Sequence, residues 1–196
     1  ILIAITAIGY SVIYNMNLSR NGRGIEALLY KIRNAPIEAF KTKIDKYDYQ
    51  DFNDNFRSYE NIKTVRQVSR EGWSTILFGK GLGSTVDIGR RMYTNDGTTV
   101  RYEAILHNGY MTVFLKAGLV GVLFLIYSMY VLIRNTKSTN PLVNELNLLL
   151  LATGIFLIFE NWVLLGIFLK TESKAVLIGF IICYKEILIK KTNINE

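Results

Sequence analysis

From Tyr110 to Ile133 the chain runs through 24 residues with a single charged side chain, Lys116. Such a stretch needs a protein interior or lipid around it, and at about 1.5 Å per residue it is long enough to cross a bilayer. Three more apolar runs frame the chain. Ile1–Tyr14 reads as a membrane helix cut off at its start. Residues 142–159 follow Pro141, which suits a first helical turn. Residues 174–196 hold a shorter run, about Ala175–Ile189, where Lys174 and Lys185 can snorkel. Charge collects between these runs: 15 of the 23 Lys and Arg, and 11 of the 16 Asp and Glu, lie between Asn15 and Gly109. The pattern predicts an all-α integral membrane protein with about four membrane helices and one large helical extracytoplasmic loop, residues 15–108.

Topology follows from the short connections. Arg134 and Lys137 in the turn 134–141, and Lys185, Lys190 and Lys191 near the end, mark those segments as cytoplasmic. The long loop and the turn 160–173 are then outside. The net charge of +7 is what membrane-flanking loops ordinarily carry, and no nucleic-acid-binding motif accompanies it. The one cysteine, Cys183, lies in an apolar run and says nothing about disulfides. The opening "ILIAITAIGYSVIY" lacks a charged leader, so the chain is expected to be the C-terminal part of a longer polytopic protein.

The loop is rich in aromatic residues and in helical periodicity. Ile25, Leu28, Leu29, Ile32, Ile37, Phe40 and Ile44 recur at helical spacing. They predict one or two amphipathic helices broken near Pro36, lying on the membrane boundary or packed on their own domain. A second helix is expected over about Tyr59–Phe78, with Ile62, Val65, Ser69, Trp73 and Ile76 on one face. Lys63, Arg66 and Arg70 share another. "GKGLGS" at Gly79–Ser84 ends it, either as a simple helix stop or as an anion-binding nest of backbone N–H groups.

The only histidine, His107, precedes the long apolar run beside Asn108 and Gly109. A lone histidine is more often structural than catalytic. At the lip of a membrane helix, however, an imidazole can serve as a base near neutral pH. No second His or Cys in the loop would complete a metal site. Nine of the ten arginines lie in the same loop. Guanidinium groups suit phosphate, yet Arg66 and Arg70 would equally suit a solvated face paired with Glu60, Glu71 or Glu103. Arg20 and Arg23 in "SRNGRG" sit at headgroup level, where lipid anchoring is the plain alternative.

With these residues in view, the chain resembles the O-antigen ligase and O-antigen polymerase superfamily of bacterial surface-polysaccharide membrane proteins. The resemblance is carried by "HNGYMTVFLKAGLVG", by "FGKGLGS" upstream of it, by the ten residues between Arg70 and Gly81, and by "LSRNGRG". It covers about Leu18–Tyr127. Members of that family have ten or more membrane helices, so about four here fits a partial, C-terminal portion with a GT-C-like fold. The resemblance implies an inverting, metal-independent membrane glycosyltransferase without a cofactor. Its donor is a glycan on undecaprenyl diphosphate, and it transfers or polymerises repeat units in the bacterial inner membrane. The partners implied are that lipid-linked oligosaccharide, the bilayer and other polysaccharide-assembly membrane proteins. His107 would be the catalytic base. Arg70 and Arg66, then Arg20 and Arg23, would bind the diphosphate, with Asn108, Gly81 and Gly83 in support. The motifs do not separate a polymerase from a ligase or a protein oligosaccharyltransferase. A lipid-linked oligosaccharide flippase is the more distant alternative, and it would place charged residues inside the apolar segments.

Overall fold

The computed structural model describes residues 2–93, 97–134, 138–163 and 173–195. They are mostly helical and divide into two compact units, Ile1–Tyr59 and Glu60–Glu196. Parts of two expected turns, residues 135–137 with Lys137 and residues 164–172, lie outside the described residues.

The first unit contains α1 (Leu2–Asn15), α2 (Ile25–Phe40), α3 (Tyr49–Asp54) and the first turn of α4 (Phe56–Arg70). At 14 residues, α1 is about 21 Å long. The expected break at Pro36 does not occur. One helix runs through it to Phe40, because losing a single N–H donor does not outweigh the turns on either side. Asp48 caps α3 by accepting from the N–H groups of Gln50 and Asp51. Phe52 then meets Phe56 and Tyr59 edge-on, with ring centroids 5.3 and 5.0 Å apart.

The second unit continues α4 and adds α5 (Trp73–Phe78), β1 (Val86–Tyr93), β2 (Thr99–Glu103), α6 (Gly109–Ile133), α7 (Pro141–Val163) and α8 (Ser173–Asn195). The single helix expected over about Tyr59–Phe78 is two. Gly72, at φ 100°, separates α4 from α5 in a conformation that side chains disfavour. The face that α4 buries also differs from the expected apolar one. Glu60, Thr64 and Val68 are buried, at i, i+4 and i+8, while Val65, Ser69 and Trp73 are exposed.

The loop is not all-α. β1 and β2 form an antiparallel hairpin that pairs Val86 with Glu103 and Tyr93 with Thr99, with an irregularity between Asp87 and Met92. Gln67 ties α4 to this hairpin. Its Nε2 donates to Thr85 O at 2.7 Å, and its Oε1 accepts from Asp87 N at 3.1 Å.

Among the described residues two helices, α6 and α7, are long and apolar enough to cross a membrane. However, α6 is not a straight rod. Gly118 has φ 65° and ψ −161°, which breaks it into residues 109–117 (α6a) and 119–133 (α6b). A straight helix would hold Tyr110 and Met129 about 28 Å apart. Instead the Tyr110 hydroxyl lies 3.7 Å from Met129 Sδ and donates to Ile158 O in α7 at 3.0 Å. So α6a folds back toward α6b at an acute angle. The carbonyls freed at the break accept from a neighbouring loop: Lys80 N–H binds Leu115 O at 2.8 Å, and Gly81 N–H binds Lys116 O at 3.0 Å. Gly79 and Gly118 pack backbone to backbone there, and a Cβ on Gly118 would lie 2.4 Å from the Leu77 carbonyl. Below the break, Leu125, Met129 and Leu132 of α6b pack with Leu150 and Leu157 of α7. Ile178, Ile181 and Ile182 of α8, with Tyr110 and Val113 of α6a, close that core.

Candidate active site

His107 stands at the junction between the hairpin and α6a. The chain is pinned on both sides of it. Leu106 is fully buried, and its N–H donates to Thr112 Oγ1 at 3.0 Å. Asn108 is buried and caps the helix, its Oδ1 accepting from Met111 N at 3.1 Å. The imidazole itself stays 55% exposed.

Its partner is Glu60, on the buried face of α4. Glu60 is 1% exposed, and its Oε1 and Oε2 lie 3.1 and 3.0 Å from His107 Nδ1. Oε2 also accepts the His107 backbone N–H at 3.2 Å. A carboxylate only accepts, so in the neutral imidazole this contact puts the hydrogen on Nδ1 and leaves Nε2 as the acceptor nitrogen. A buried carboxylate that holds a histidine in one tautomer is the arrangement a general base needs. Glu103, at the end of β2, stands in the same field. Burial and then the charge of Glu60 push its carboxyl above the ordinary value, and His107 opposes that shift.

The arginines divide between the two units. Arg66 and Arg70 line a cleft of about 310 Å³ with Lys63, Gln67, Glu71 and Asp87. Its two acids are already matched. Glu71 pairs with Lys80, and Arg101 holds Asp87 through two contacts of 2.8 Å, Nε to Oδ1 and Nη2 to Oδ2. That fork keeps the Asp87 carboxyl down at about 2. Arg66 and Arg70 have no ion-pair partner among the described residues, so the cleft carries uncompensated positive charge. Glu60, Glu71 and Glu103 do not pair with them. Along α4, Arg66 is about 9 Å and Arg70 about 15 Å beyond Glu60.

Arg20 and Arg23 belong to the first unit. Arg20 is engaged by Asp54, Nε to Oδ2 at 2.8 Å, and Arg23 is exposed. Gly81 and Gly83 line a second cavity, of about 470 Å³, beside Gln67, Ser84, Asp87 and Tyr102. The N–H groups of Lys80 and Gly81 are bound to α6 carbonyls, so those two do not form an anion nest. An apolar groove of about 820 Å³ opens at Tyr110, three residues from His107, and runs along Ile126, Met129, Ile158 and Trp162.

Sequence reasoning missed Glu60 as the partner of His107, and no spacing rule links residues 47 apart. The hairpin did leave a signal, the Asp96-Gly97 pair between two runs rich in β-branched and aromatic residues.

A protein-family model described as a family of unknown function (DUF6369) matches residues 57–192. That range includes Glu60, Arg66, Arg70 and His107 and leaves out Arg20 and Arg23. No curated protein and no solved structure matches the chain.

Proposed function

The chain belongs to DUF6369, a family of unknown function, and for it we propose a multi-pass membrane glycosyltransferase of the O-antigen polymerase and ligase type. The donor is a glycan on undecaprenyl diphosphate. An acceptor hydroxyl attacks the anomeric carbon, the bond from that carbon to the diphosphate oxygen breaks, and the configuration inverts. His107 Nε2 takes the hydroxyl proton while Glu60 stabilises the resulting imidazolium, a role worth about 10²–10⁴-fold in rate. The diphosphate leaves with its charge, which Arg66 and Arg70 meet. The polyprenyl chain lies along the apolar groove at Tyr110. α1 and α8 complete a set of four membrane helices, with the loop outside the bacterial inner membrane.

One observation carries this reading. A buried carboxylate orients the only histidine, and two arginines without ion-pair partners among the described residues line a cleft farther along the same helix. The test is His107→Ala in the full-length gene in its own host, beside His107→Gln, whose amide can still donate to Glu60. Glycan length is read on the lipid carrier and at the cell surface, with membrane abundance measured. Single repeat units accumulating mark a polymerase. Long polymer stranded on the carrier marks a ligase, to lipid or to protein. Unchanged glycans at normal abundance remove His107 from the mechanism and sink the proposal.

A transporter reading draws on a different observation. Lys185 is buried within α8, and Glu160 lies inside α7 with its Oε2 buried and lacking a hydrogen-bond partner among the described residues. For a flippase, His107→Ala would leave glycan length intact, whereas Lys185→Ala would stop surface delivery.

A further inference from the structure

The short helix α5 and the turn after it expose large apolar side chains. Trp73 is 79% exposed, Phe78 64% and Leu82 84%. This is not a loose flap. Gly79 packs backbone to backbone on Gly118, and Lys80 and Gly81 donate to carbonyls of α6. Lys116 Nζ donates to Leu82 O at 2.7 Å and to Ser84 O at 3.2 Å. Glu71 and Lys80, which bracket α5, pair with each other. The exposed set is therefore held at one fixed place, the Gly118 end of α6b.

What covers it follows from its neighbour. α6b begins at Leu119 and exposes Leu119, Leu123 and Phe124, part of a helix apolar enough to cross a membrane. The turn between Phe78 and Leu82 is clamped at the end of that surface, and Trp73 stands one short helix away from the clamp. A tryptophan at the end of an apolar helical face is also the side chain that favours the boundary between headgroups and acyl chains.

We propose that Trp73, Phe78 and Leu82 insert into the interfacial layer of the bilayer, so that α5 is a membrane-seated foot clamped to the break in α6. The inference rests on the membrane part of the proposed function and on none of its chemistry. It goes beyond that part, because it puts in lipid a piece of the polar loop that hydropathy assigns to water.

The experiment uses the full chain in vesicles of phosphatidylcholine and phosphatidylglycerol, with and without phosphatidylcholine brominated near the top of the acyl chains. The protein has two tryptophans, Trp73 and Trp162. Trp162→Phe leaves Trp73 as the reporter, and Trp73→Phe leaves Trp162 on α7. The expected result is blue-shifted Trp73 emission that brominated lipid quenches and aqueous iodide does not. If Trp162 is quenched by brominated lipid while Trp73 answers only to iodide, the foot is overturned and the membrane helices stand. If neither tryptophan is quenched by brominated lipid, the foot and the membrane reading fall together.

Discussion

Glu60 Oε2 accepts from two different groups of His107, the ring Nδ1 at 3.0 Å and the backbone N–H at 3.2 Å. The carboxylate therefore fixes both the imidazole and the point where the chain enters α6a. Substitution separates these roles. Glu60→Gln keeps an oxygen acceptor of nearly the same shape but removes the charge. The expected outcome is a fall in kcat on the order of 10²-fold with little change in KM. A purely structural Glu60 would instead lower the amount of folded protein and leave the kcat of the remainder alone. Glycan transfer in isolated membranes, normalised to folded protein, tells the two apart.

The cleft arginines should act on binding as well as turnover. A hydrogen bond to a charged group is worth about 1.5–3 kcal/mol, which converts to roughly 10- to 100-fold. Arg66→Gln or Arg70→Gln is expected to weaken the donor or slow the step by that factor. Arg→Lys should restore only part of it, because the planar fork is lost. Neither change should lower the melting temperature, since neither residue has an ion pair to break among the described residues. A drop of many degrees in Arg70→Gln would show that it is a structural cation.

Asp87 gives a pH signature. Its carboxyl is held at about 2 against an ordinary 3.8, first by the Arg101 side chain and then by the Gly89 N–H. A carboxyl depressed by folding contributes stability above its unfolded value, and that contribution disappears as pH falls through the folded value. The window is thus pH 3.8 down to about 2. In detergent, the wild-type melting temperature should fall more steeply across this window than that of Asp87→Asn. Parallel curves would mean that the Arg101 fork does not persist in solution.

The glycines at the α6 break should be unequal to one elsewhere in the loop. Gly118→Ala meets both φ 65° and a Cβ 2.4 Å from the Leu77 carbonyl, and Gly79→Ala meets the backbone of Lys116 and Ala117 equally closely. Strain of this kind costs about 1–3 kcal/mol before the clash is counted. Gly81→Ala, at φ 91° with nothing within 4 Å, carries the strain alone. The expected order of thermal stability is wild type, then Gly81→Ala, then Gly79→Ala and Gly118→Ala. Equal losses at all three would dissolve the backbone lock.

How much of this was legible beforehand depended on distance along the chain. Apolar length alone exposed α6 and α7, and the Asn108 cap is a local rule that sequence carries. The break at Gly118 was hidden because "AGLVGV" reads equally well as small residues inside a helix. Only the loop at Gly79, arriving from 39 residues away, makes the open conformation worthwhile. The buried face of α4 misled for a related reason. Hydrophobic periodicity favoured Ile62, Val65 and Ser69, but the carboxylate that serves His107 turns Glu60, Thr64 and Val68 inward. Lys63, Arg66 and Arg70 share a face in sequence. That two of them lack ion-pair partners among the described residues depended on Arg101 and Lys80 matching Asp87 and Glu71, and no spacing along α4 reveals it.

The turn at Gly118 also sets a mismatch in thickness. Hydropathy counts 25 residues in α6, yet only the 15 after the break run on as one rod, about 22 Å long. Beside it α7, with 23 residues, measures about 34 Å. On the membrane reading proposed above, a hydrocarbon layer of about 30 Å is thicker than α6b is long and thinner than α7 is long, so the layer would pinch on the α6b side while α7 tilts. A pinch would lower the headgroup plane beside α6b, and shorter-chain lipids would then suit this protein better than longer ones.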